Sequence, residues 1–429
     1  MRPFNRVIAM ACLVWAVGLI TATAGWAQEI ILGAPSSLTT LEGKESLQAV
    51  RMAVDEINRS GGVKVGGRRL KFRLVPFDLE ETHPTTAPAQ AVERLQGFIK
   101  TKKPNAIVIG PFRSEVLLES MDLLARHRLP TLGCIAMSPA VDAKILSDPK
   151  YRYIFRVGLN TKYLADYLIE FMKLMKREFG FSKVYVLNQD VAWARSTAYL
   201  MIKLYFERSG WQVLGQANHA AGTTEYMPDL EAAKAGGAQV LLAIFDMPSS
   251  GNLIRQWHKM KPPAVLCGFI SPATGPGAWS VLGRRLNGLT NVIFELGNLP
   301  SAKYPPATAF YRSFRSRYGH PIQSGHGPAP AYESVYILAE ALERAGSLDP
   351  DLVSKALEAT DRKGVMGRVR FHRGHQAIYG KDPEQEALAC VVQWSSSGQR
   401  VIVYPRLLSE GMLKLPSFVK PARKPIKPQ

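Results

Sequence analysis

Most of the side chains suited to holding a small molecule stand at the ends of predicted strands. Ser114 begins a predicted helix and would act as its N-cap, with free backbone N–H groups behind it. Arg113 precedes it and can pair with an anion through two parallel hydrogen bonds. Asp246 ends a strand and can accept from an ammonium group, while Trp193 and Phe269 offer flat apolar surface. These residue types favour binding of a solute with an acid group and an apolar or aromatic part.

Two purely structural interpretations stay open from the sequence. Ser114 would cap its helix equally well without touching a ligand. For Trp193, stacking on a ligand is the preferred expectation and filling of the protein core is the alternative.

The usual catalytic motifs do not occur in the sequence. There is no G-x-x-x-x-G-K-S/T loop, no G-x-G-x-x-G after a first strand, no G-x-S-x-G, no H-E-x-x-H and no paired C-x-x-C. His372 and His375 have the spacing of two metal ligands, but no obvious carboxylate partner accompanies them. We therefore predict a protein that is not an enzyme and that needs no cofactor and no metal.

The N-terminus has the pattern of a Sec signal peptide. Arg2 and Arg6 are positive, residues 7–20 are apolar apart from one Cys and one Gly, and Gly25 and Ala27 are small. This pattern predicts a signal peptide over residues 1–27, cleaved after Ala27; an uncleaved membrane anchor is the alternative. No later segment has the ~18 apolar residues of a membrane span, so we predict a soluble protein in the periplasm.

The chain is basic, because its 54 Lys and Arg residues exceed its 35 Asp and Glu residues by 19. Such a charge suggests nucleic acid, an anionic membrane face or anionic ligands as partners. Export excludes nucleic acid, which leaves the other two. After cleavage three cysteines remain, Cys134, Cys267 and Cys390. Their odd number and wide spacing fit neither a disulfide framework nor a zinc site, so buried thiols are expected.

Short apolar runs alternate with amphipathic stretches through the first two thirds of the chain. Strands are predicted at residues 30–33, 70–77, 106–109, 128–132, 183–187, 212–216, 240–245 and 264–268. Helices are predicted at residues 47–58, 87–101, 114–126, 164–179, 196–209, 227–235 and 252–260. The βαβ series restarts near residue 160, which predicts two similar α/β lobes with parallel sheets.

The C-terminal third has a different pattern. Helices are predicted at 307–318, 332–345 and 351–360, and hairpins at 369–378 and 388–404. Residues 409–429 are polar, rich in proline and basic, which predicts a disordered tail.

A resemblance to a known family accounts for the order of these motifs. The segment GKESLQAVRMAVDEINRSGG, residues 43–62, resembles the first helix of the leucine-binding type of periplasmic solute receptor, the type I periplasmic binding proteins. The strand at 106–110, the strand at 128–132, the L-x-R-Q-like helix at 253–256 and the G-x-V-x-F-like hairpin at 367–371 are similar to later family motifs in the same order.

The resemblance implies the fold and its division. Two Rossmann-like lobes with parallel central sheets are expected, joined by a hinge of three chain crossings. Lobe 1 would comprise residues 28–157 with 299–380, and lobe 2 residues 158–298 with 381–408. Ligand would lie in the cleft between them, where helix N-termini present free N–H groups.

The resemblance also implies a set of site residues. In the family's second ligand loop stand Ala136, Met137 and Ser138, where relatives that bind amino acids often have Ala and Thr. Trp193 stands where the family often has Tyr, and Arg195 follows on the same loop as a possible charge contact. The full predicted ligand-binding set is Glu42, Arg113, Ser114, Ala136, Met137, Ser138, Trp193, Arg195, Asp246 and Phe269.

Arg113 has a second interpretation that the resemblance supplies. It aligns where some relatives carry a disulfide cysteine, and Glu80 aligns with that cysteine's partner. The preferred expectation is therefore an Arg113–Glu80 ion pair in place of the disulfide, with ligand contact as the alternative.

The function implied is that of a solute-binding subunit. It would be a monomer that delivers an amino-acid-like or aromatic carboxylate solute to the membrane permease of an ABC importer. A ligand-sensing receptor for a membrane signalling protein is the alternative, since it would have the same fold and site.

Overall fold

The structure is a computed structural model that describes residues 29–83 and 85–423. The predicted signal peptide lies outside the described residues. Within the described ranges, no helix is both long enough and apolar enough to cross a membrane.

The described chain contains sixteen strands and twelve α-helices. The strands are β1 Ile30–Ser36, β2 Val63–Val65, β3 Arg68–Leu70, β4 Phe72–Asp78, β5 Ala106–Ile109, β6 Thr131–Gly133, β7 Ile154–Arg156, β8 Lys183–Gln189, β9 Gln212–His219, β10 Val240–Phe245, β11 Val265–Ile270, β12 Thr290–Ile293, β13 Asp361–Gly364, β14 Gly367–Arg370, β15 Cys390–Trp394 and β16 Arg400–Tyr404. The helices are α1 Leu41–Arg59, α2 Pro88–Lys102, α3 Ser114–Arg126, α4 Ala140–Ser147, α5 Thr161–Phe179, α6 Ala192–Tyr199, α7 Met227–Ala235, α8 Gly251–Met260, α9 Ala278–Leu282, α10 Pro305–Tyr318, α11 Pro328–Ala345 and α12 Pro350–Glu358.

The first sheet has five parallel strands in the order β4-β1-β5-β6-β7. The central strands β1 and β5 consist almost entirely of buried apolar residues, as expected for strands covered on both faces. Helix α1 packs its buried stripe, which includes Leu47, Val50 and Val54, against this sheet and against α11. All carboxyl ends of the sheet therefore meet at one edge.

The second sheet has seven strands in the order β16-β15-β12-β11-β10-β8-β9. Strands β8 to β12 are parallel to one another, whereas β15 and β16 run antiparallel as an added hairpin. The fold class is thus α/β with parallel-dominated sheets in two lobes, as predicted. The helix predicted at 196–209 begins earlier, at Ala192, and is α-helical only to Tyr199. A π turn over Leu200–Tyr205 and a 3₁₀ turn over Phe206–Arg208 follow it directly.

The chain passes between the two sheets three times. It crosses from β7 to α5, returns from β12 to α10, and crosses again from β14 to β15. Hydrogen bonds join the first and third crossings, since Tyr379 Oη donates to the Val157 carbonyl at 3.0 Å and Tyr167 Oη donates to the Gly380 carbonyl.

A buried ion pair lies at the first crossing. The Arg156 guanidinium contacts the Asp142 carboxylate, and both side chains are almost fully excluded from solvent. Asn160 Nδ2 donates to the other Asp142 oxygen at 3.1 Å, and Arg156 Nη1 donates to the Ser138 carbonyl at 2.6 Å. This network fixes the segment that leads out of the first sheet.

The prediction of a disordered tail from residue 409 is wrong for the part that the structure describes. Phe418 packs edge-on against the buried Trp257 with ring centroids 5.3 Å apart, and Val419 is buried. The Lys414 backbone exchanges two hydrogen bonds with the Gln393 side chain. The physical reason is that the basic residues alternate with apolar ones, so one side of the segment covers the second lobe while its lysines stay in water.

The three cysteines of the described chain are free and buried. Burial raises the pKa of the Cys134 thiol to about 12 and raises those of Cys267 and Cys390 as well. They therefore act as small apolar core residues.

Candidate ligand-binding site

A narrow cavity lies between the carboxyl ends of the two sheets, and in this closed arrangement its volume is about 20 Å³, room for about one water molecule. The first lobe contributes the start of α1, the β5–α3 loop and the loop after β6; the second contributes the start of α6 and the ends of β10, β11 and β12. The lining residues are Glu42, Phe112, Arg113, Ser114, Ile135, Met137, Trp193, Asp246, Phe269, Phe294 and His326. This is the edge at which open α/β sheets bind ligands.

An ion pair joins the two lobes across this cavity. Arg113 Nη1 lies 2.7 Å from Asp246 Oδ2, and Trp193 Nε1 donates to the same oxygen at 2.9 Å. The Gln189 side chain accepts from the Asp246 backbone N–H at 3.0 Å and so holds the loop that carries the acid. The Asp246 carboxylate raises the pKa of Arg113 against the opposing effect of burial, so the guanidinium stays charged. In this structure the Asp246 carboxylate therefore accepts hydrogen bonds from two side chains of the protein itself, Arg113 and Trp193.

The expected Arg113–Glu80 ion pair is wrong. Glu80 pairs instead with Arg94 at 2.9 Å, on the surface. The neighbouring Glu81 holds the β5–α3 loop in place, since its two oxygens accept from the backbone N–H groups of Phe112 and Arg113 at 2.7 and 2.9 Å. Burial raises the pKa of Glu81 to about 7. The loop is thus tied down through its backbone, which leaves the Arg113 side chain free to reach the cavity.

Ser114 is the first residue of α3 and not its N-cap, which is Arg113. Its Oγ accepts from the backbone N–H groups of Met137 and Ser138 at 3.2 and 3.1 Å. Since these bonds occupy both lone pairs, the hydroxyl proton remains for donation to a ligand. The first N–H groups of α3 have no partner within the helix, so this corner of the cavity suits an anion.

Glu42 makes a second contact across the cavity. Ser271 Oγ, at the end of β11, donates to Glu42 Oε1 at 2.6 Å. Burial raises the pKa of Glu42, and the Ser271 hydrogen bond opposes this only in part. A third contact lies nearby, where the Ala192 N–H donates to Glu115 Oε1 at 3.1 Å.

Three aromatic rings form one wall of the cavity. Phe269 and Phe294 stack with centroids 4.0 Å apart, and Trp193 meets them edge-on at 5.9 and 6.3 Å. Trp193 is 7% exposed, so it belongs both to the core and to the cavity lining. This wall gives a flat apolar surface beside the Arg113–Asp246 pair.

His326 is a lining residue that the sequence analysis missed. Its Nδ1 lies 2.8 Å from Glu295 Oε1, and its Nε2 lies 2.8 Å from the Ile135 carbonyl. Burial lowers the pKa of His326, but the Glu295 carboxylate outweighs this and the net shift is upward. Both partners are hydrogen-bond acceptors, so a protonated imidazole can donate to both and join the segment before α11 to the loop after β6. A histidine within the Gly- and Ser-rich segment before a predicted helix was the available signal.

Three predicted site residues do not line this cavity. Arg195 is exposed and pairs with Asp190 at 2.6 Å. It lies two residues past Trp193 on α6, which turns it about 200° around the helix, away from the cavity. In the loop after β6, Ile135 and Met137 line the cavity, and Ala136 between them packs into the core of the first lobe. Ser138 serves through its backbone, by donating to Ser114 and accepting from Arg156.

The two histidines with metal-like spacing have structural contacts. His375 stacks on Phe155 with centroids 4.1 Å apart, and its Nδ1 lies 3.2 Å from the Ile154 carbonyl. The His372 Nδ1 accepts from the Gly374 N–H at 2.9 Å.

Comparisons with known proteins agree with this geometry. The sequence profile described as "Periplasmic binding protein" matches residues 31–398. The chain belongs to the periplasmic binding protein family. Among its relatives, the Leu/Ile/Val-binding protein homolog 7 of Brucella melitensis is 22% identical over 392 residues, which are 88% of this chain and 90% of the relative.

Solved structures share the periplasmic binding protein fold. A putative branched-chain amino acid ABC transporter protein from Silicibacter pomeroyi superposes with a TM-score of 0.77 at 18% identity, covering 91% of this chain and 100% of its own. A solute-binding protein of an ABC transporter from R. palustris, in complex with benzoate, has a TM-score of 0.68 at 16% identity and covers 91% and 99%. At these identities the likeness establishes the two-lobe fold.

The burial of Glu42 in this periplasmic binding protein leads to a pH-dependent prediction. Because the folded-state pKa lies above the ordinary 4.5, protonation stabilises the folded form. That contribution is fully present below pH 4.5 and is lost as the pH rises through the raised pKa. Glu42→Gln keeps an oxygen for Ser271 and carries no charge. We expect its melting temperature to match the wild type near pH 4.5 and to exceed it increasingly toward pH 8.

Melting curves at several pH values check this expectation. Glu93→Gln, at an exposed position on α2, is the matched control and should show no such widening gap. A Glu42→Gln difference that stays constant across the pH range would contradict the burial argument.

Proposed function

We propose that this chain is the periplasmic solute-binding subunit of an ABC importer, and that it holds a small carboxylate solute, amino-acid-like or aromatic, between its lobes. The observation that carries the proposal is the cavity to which the carboxyl ends of both sheets contribute. One corner offers the Ser114 hydroxyl and the N-terminus of α3 to an acid group, and the wall of Trp193, Phe269 and Phe294 offers stacking surface to an apolar part.

The proposed mechanism is closure of the lobes around the solute. The Arg113–Asp246 and Ser271–Glu42 contacts show that polar groups of the two lobes can meet across the cavity. Because the cavity described has room for about one water molecule, a solute enters while the lobes are apart. Its contacts with both lobes then shift the equilibrium toward a form closed around it. A permease would then recognise the closed form, and no chemistry on the solute is needed.

The relatives support this range of solutes. The Brucella melitensis relative is named for Leu, Ile and Val, and the R. palustris neighbour holds benzoate. In this chain Met137 and three aromatic rings line the cavity, which favours solutes with an aromatic or larger apolar part over small aliphatic amino acids.

A thermal-shift screen tests the solute class. L-leucine, L-phenylalanine, benzoate and phenylacetate are compared at concentrations up to several millimolar. A solute at about 100 times its Kd stabilises the folded form by about 2.7 kcal/mol, so a true ligand raises the melting temperature clearly. We expect the aromatic acids to give the largest shifts. Stabilisation by L-leucine alone would refute the aromatic preference, and turnover of a bound solute would refute the binding function.

Small-angle scattering tests the mechanism with the solute that the screen selects. We expect the radius of gyration to fall on saturation. A value that does not change would count against closure. Reconstitution with the candidate permease in vesicles, with uptake as the readout, then separates transport from a sensing role.

A further inference from the structure

A second cavity lies outside the cleft, beside the chain crossings. It encloses about 460 Å³ between one face of α5 and the segments around Tyr379–Lys381 and Tyr404. Tyr163, Asp166, Glu170 and Lys173 line it at helical spacing along α5. None of its lining residues belongs to the cleft between the sheets.

The aromatic part of this cavity is closely packed. Tyr167 and Tyr379 are buried, and their hydroxyls donate to the carbonyls of Gly380 and Val157. Tyr163 and Tyr379 have centroids 5.7 Å apart, and Tyr167 meets Tyr404 edge-on at 5.9 Å. These packed rings give the cavity an apolar surface of fixed shape, which favours a preorganised site.

One hydrogen-bond donor in this cavity is unused. The Tyr404 Oη is buried and can only accept from the neighbouring Lys381 ammonium, so its own proton has no acceptor within the described ranges. A buried hydroxyl whose proton is unpaired is costly, so it calls for an acceptor. Lys381 lies beside it and has ammonium protons to spare, since its contact is with one Glu170 oxygen at 3.1 Å. An anionic group of a ligand would find two donors here.

Two carboxylates line the cavity, and they differ in their partners. Glu170 is paired twice, with Lys173 at 2.8 Å through one oxygen and with Lys381 through the other. Asp166, one helical turn before it, is exposed and forms no ion pair with any residue that the structure describes. Its charge is of the sign that an ammonium group needs. The charged residues that line the cavity are two acids and two lysines: Asp166, Glu170, Lys173 and Lys381. Their charges sum to zero, so a ligand with no net charge keeps the cavity neutral.

From this juxtaposition of a free acid, a free hydroxyl beside a lysine, and tyrosine rings, we propose that the cavity is a second solute site that binds a zwitterionic α-amino acid with an apolar side chain. The ligand's ammonium group contacts Asp166, its carboxylate accepts from Tyr404 and Lys381, and its side chain packs on the ring of Tyr163. The site shares no lining residue with the cleft.

Equilibrium dialysis with labelled L-leucine tests this site, in a Trp193→Ala background that impairs the cleft. Two matched probes each lack one charge: 4-methylpentanoate has no ammonium group and 3-methylbutylamine has no carboxylate. We expect one molar equivalent of L-leucine to bind, and each single-charge probe to bind at least about tenfold more weakly. The same measurement in the wild-type background shows whether the cleft adds a second equivalent.

Two variants locate the site. Asp166→Asn removes the charge and Tyr404→Phe removes only the hydroxyl, so both should fold. Each is expected to weaken L-leucine binding in the Trp193→Ala background about tenfold or more. Glu178→Gln, on the same helix but away from the cavity, is the control and should change nothing. The proposal would be overturned by the absence of L-leucine binding up to about 10 mM. It would also be overturned by an unchanged affinity in both variants. Neither result would bear on the cleft.

Discussion

Trp193→Ala is expected to weaken binding of the cleft solute about 30- to 1000-fold, which corresponds to about 2–4 kcal/mol for a central aromatic residue at a binding site. The variant removes the edge-on packing against Phe269 and Phe294 and the hydrogen bond to Asp246. Asp246 then keeps its contact with Arg113 but loses the indole donor, and the cavity loses part of its aromatic wall. Isothermal titration with the best solute of the thermal-shift screen measures the loss.

Trp279→Ala is the matched control. Trp279 lies in the same lobe, stacks on Trp394 and does not line the cleft. Its replacement should leave solute affinity within about twofold, because only interactions with bound solute change it. Equal losses in the two variants would mean that Trp193 acts through the stability of the lobe and not through the solute.

Asp142→Ala is expected to destabilise the folded protein by about 3–5 kcal/mol, the usual cost of leaving one buried charge without its partner. The variant strands the Arg156 guanidinium in a site almost closed to solvent and removes the Asn160 contact. Urea unfolding measures the loss as a lower midpoint at an unchanged slope.

Two comparisons keep this prediction specific. Asp190→Ala breaks the exposed pair with Arg195 and should cost about 1 kcal/mol or less. The double variant Asp142→Leu with Arg156→Met replaces the whole pair by apolar groups and should recover most of the lost stability. An Asp142→Ala cost no larger than that of Asp190→Ala would show that Arg156 finds another partner or reaches water.

The fold was predictable where the residues of a single element alone show which of its faces is buried. The bounds of α3, α7 and β10 match the predictions. α3 has a clear period of 3.6 residues and β10 is an unbroken apolar run. The faces of α7 hardly differ, and its bounds come from the proline in its first turn and the Gly236–Gly237 pair at its end. Strand β12 and helix α4 were missed. The first has only four residues, and the second is short and shows little difference between its faces, so neither carries a period long enough to detect.

Several residues of the site could be predicted from the sequence, but the contacts between them could not. Arg113, Asp246 and Trp193 could be chosen because each follows a strand at the edge where both sheets end. Their mutual contacts depend on the closure of two lobes, which local spacing does not encode. His326 and Phe294 illustrate the same limit, since they enter the cavity from the C-terminal third of the chain and from a strand too short to predict.

The buried thiols have a practical consequence for following the motion of the lobes. Burial raises the pKa values of the three described cysteines, so little reactive thiolate exists at neutral pH. A maleimide spin label would therefore ignore the native thiols of the folded body and react with introduced ones. A separate groove, lined by Leu41 from the first lobe and by Ser271 and Val281 from the second, lies beside the cleft. Leu41 and Val281 are 38% and 64% exposed. Cysteines at these two positions would turn opening and closing into a distance distribution readable by electron spin resonance, with no native residue of the cleft altered.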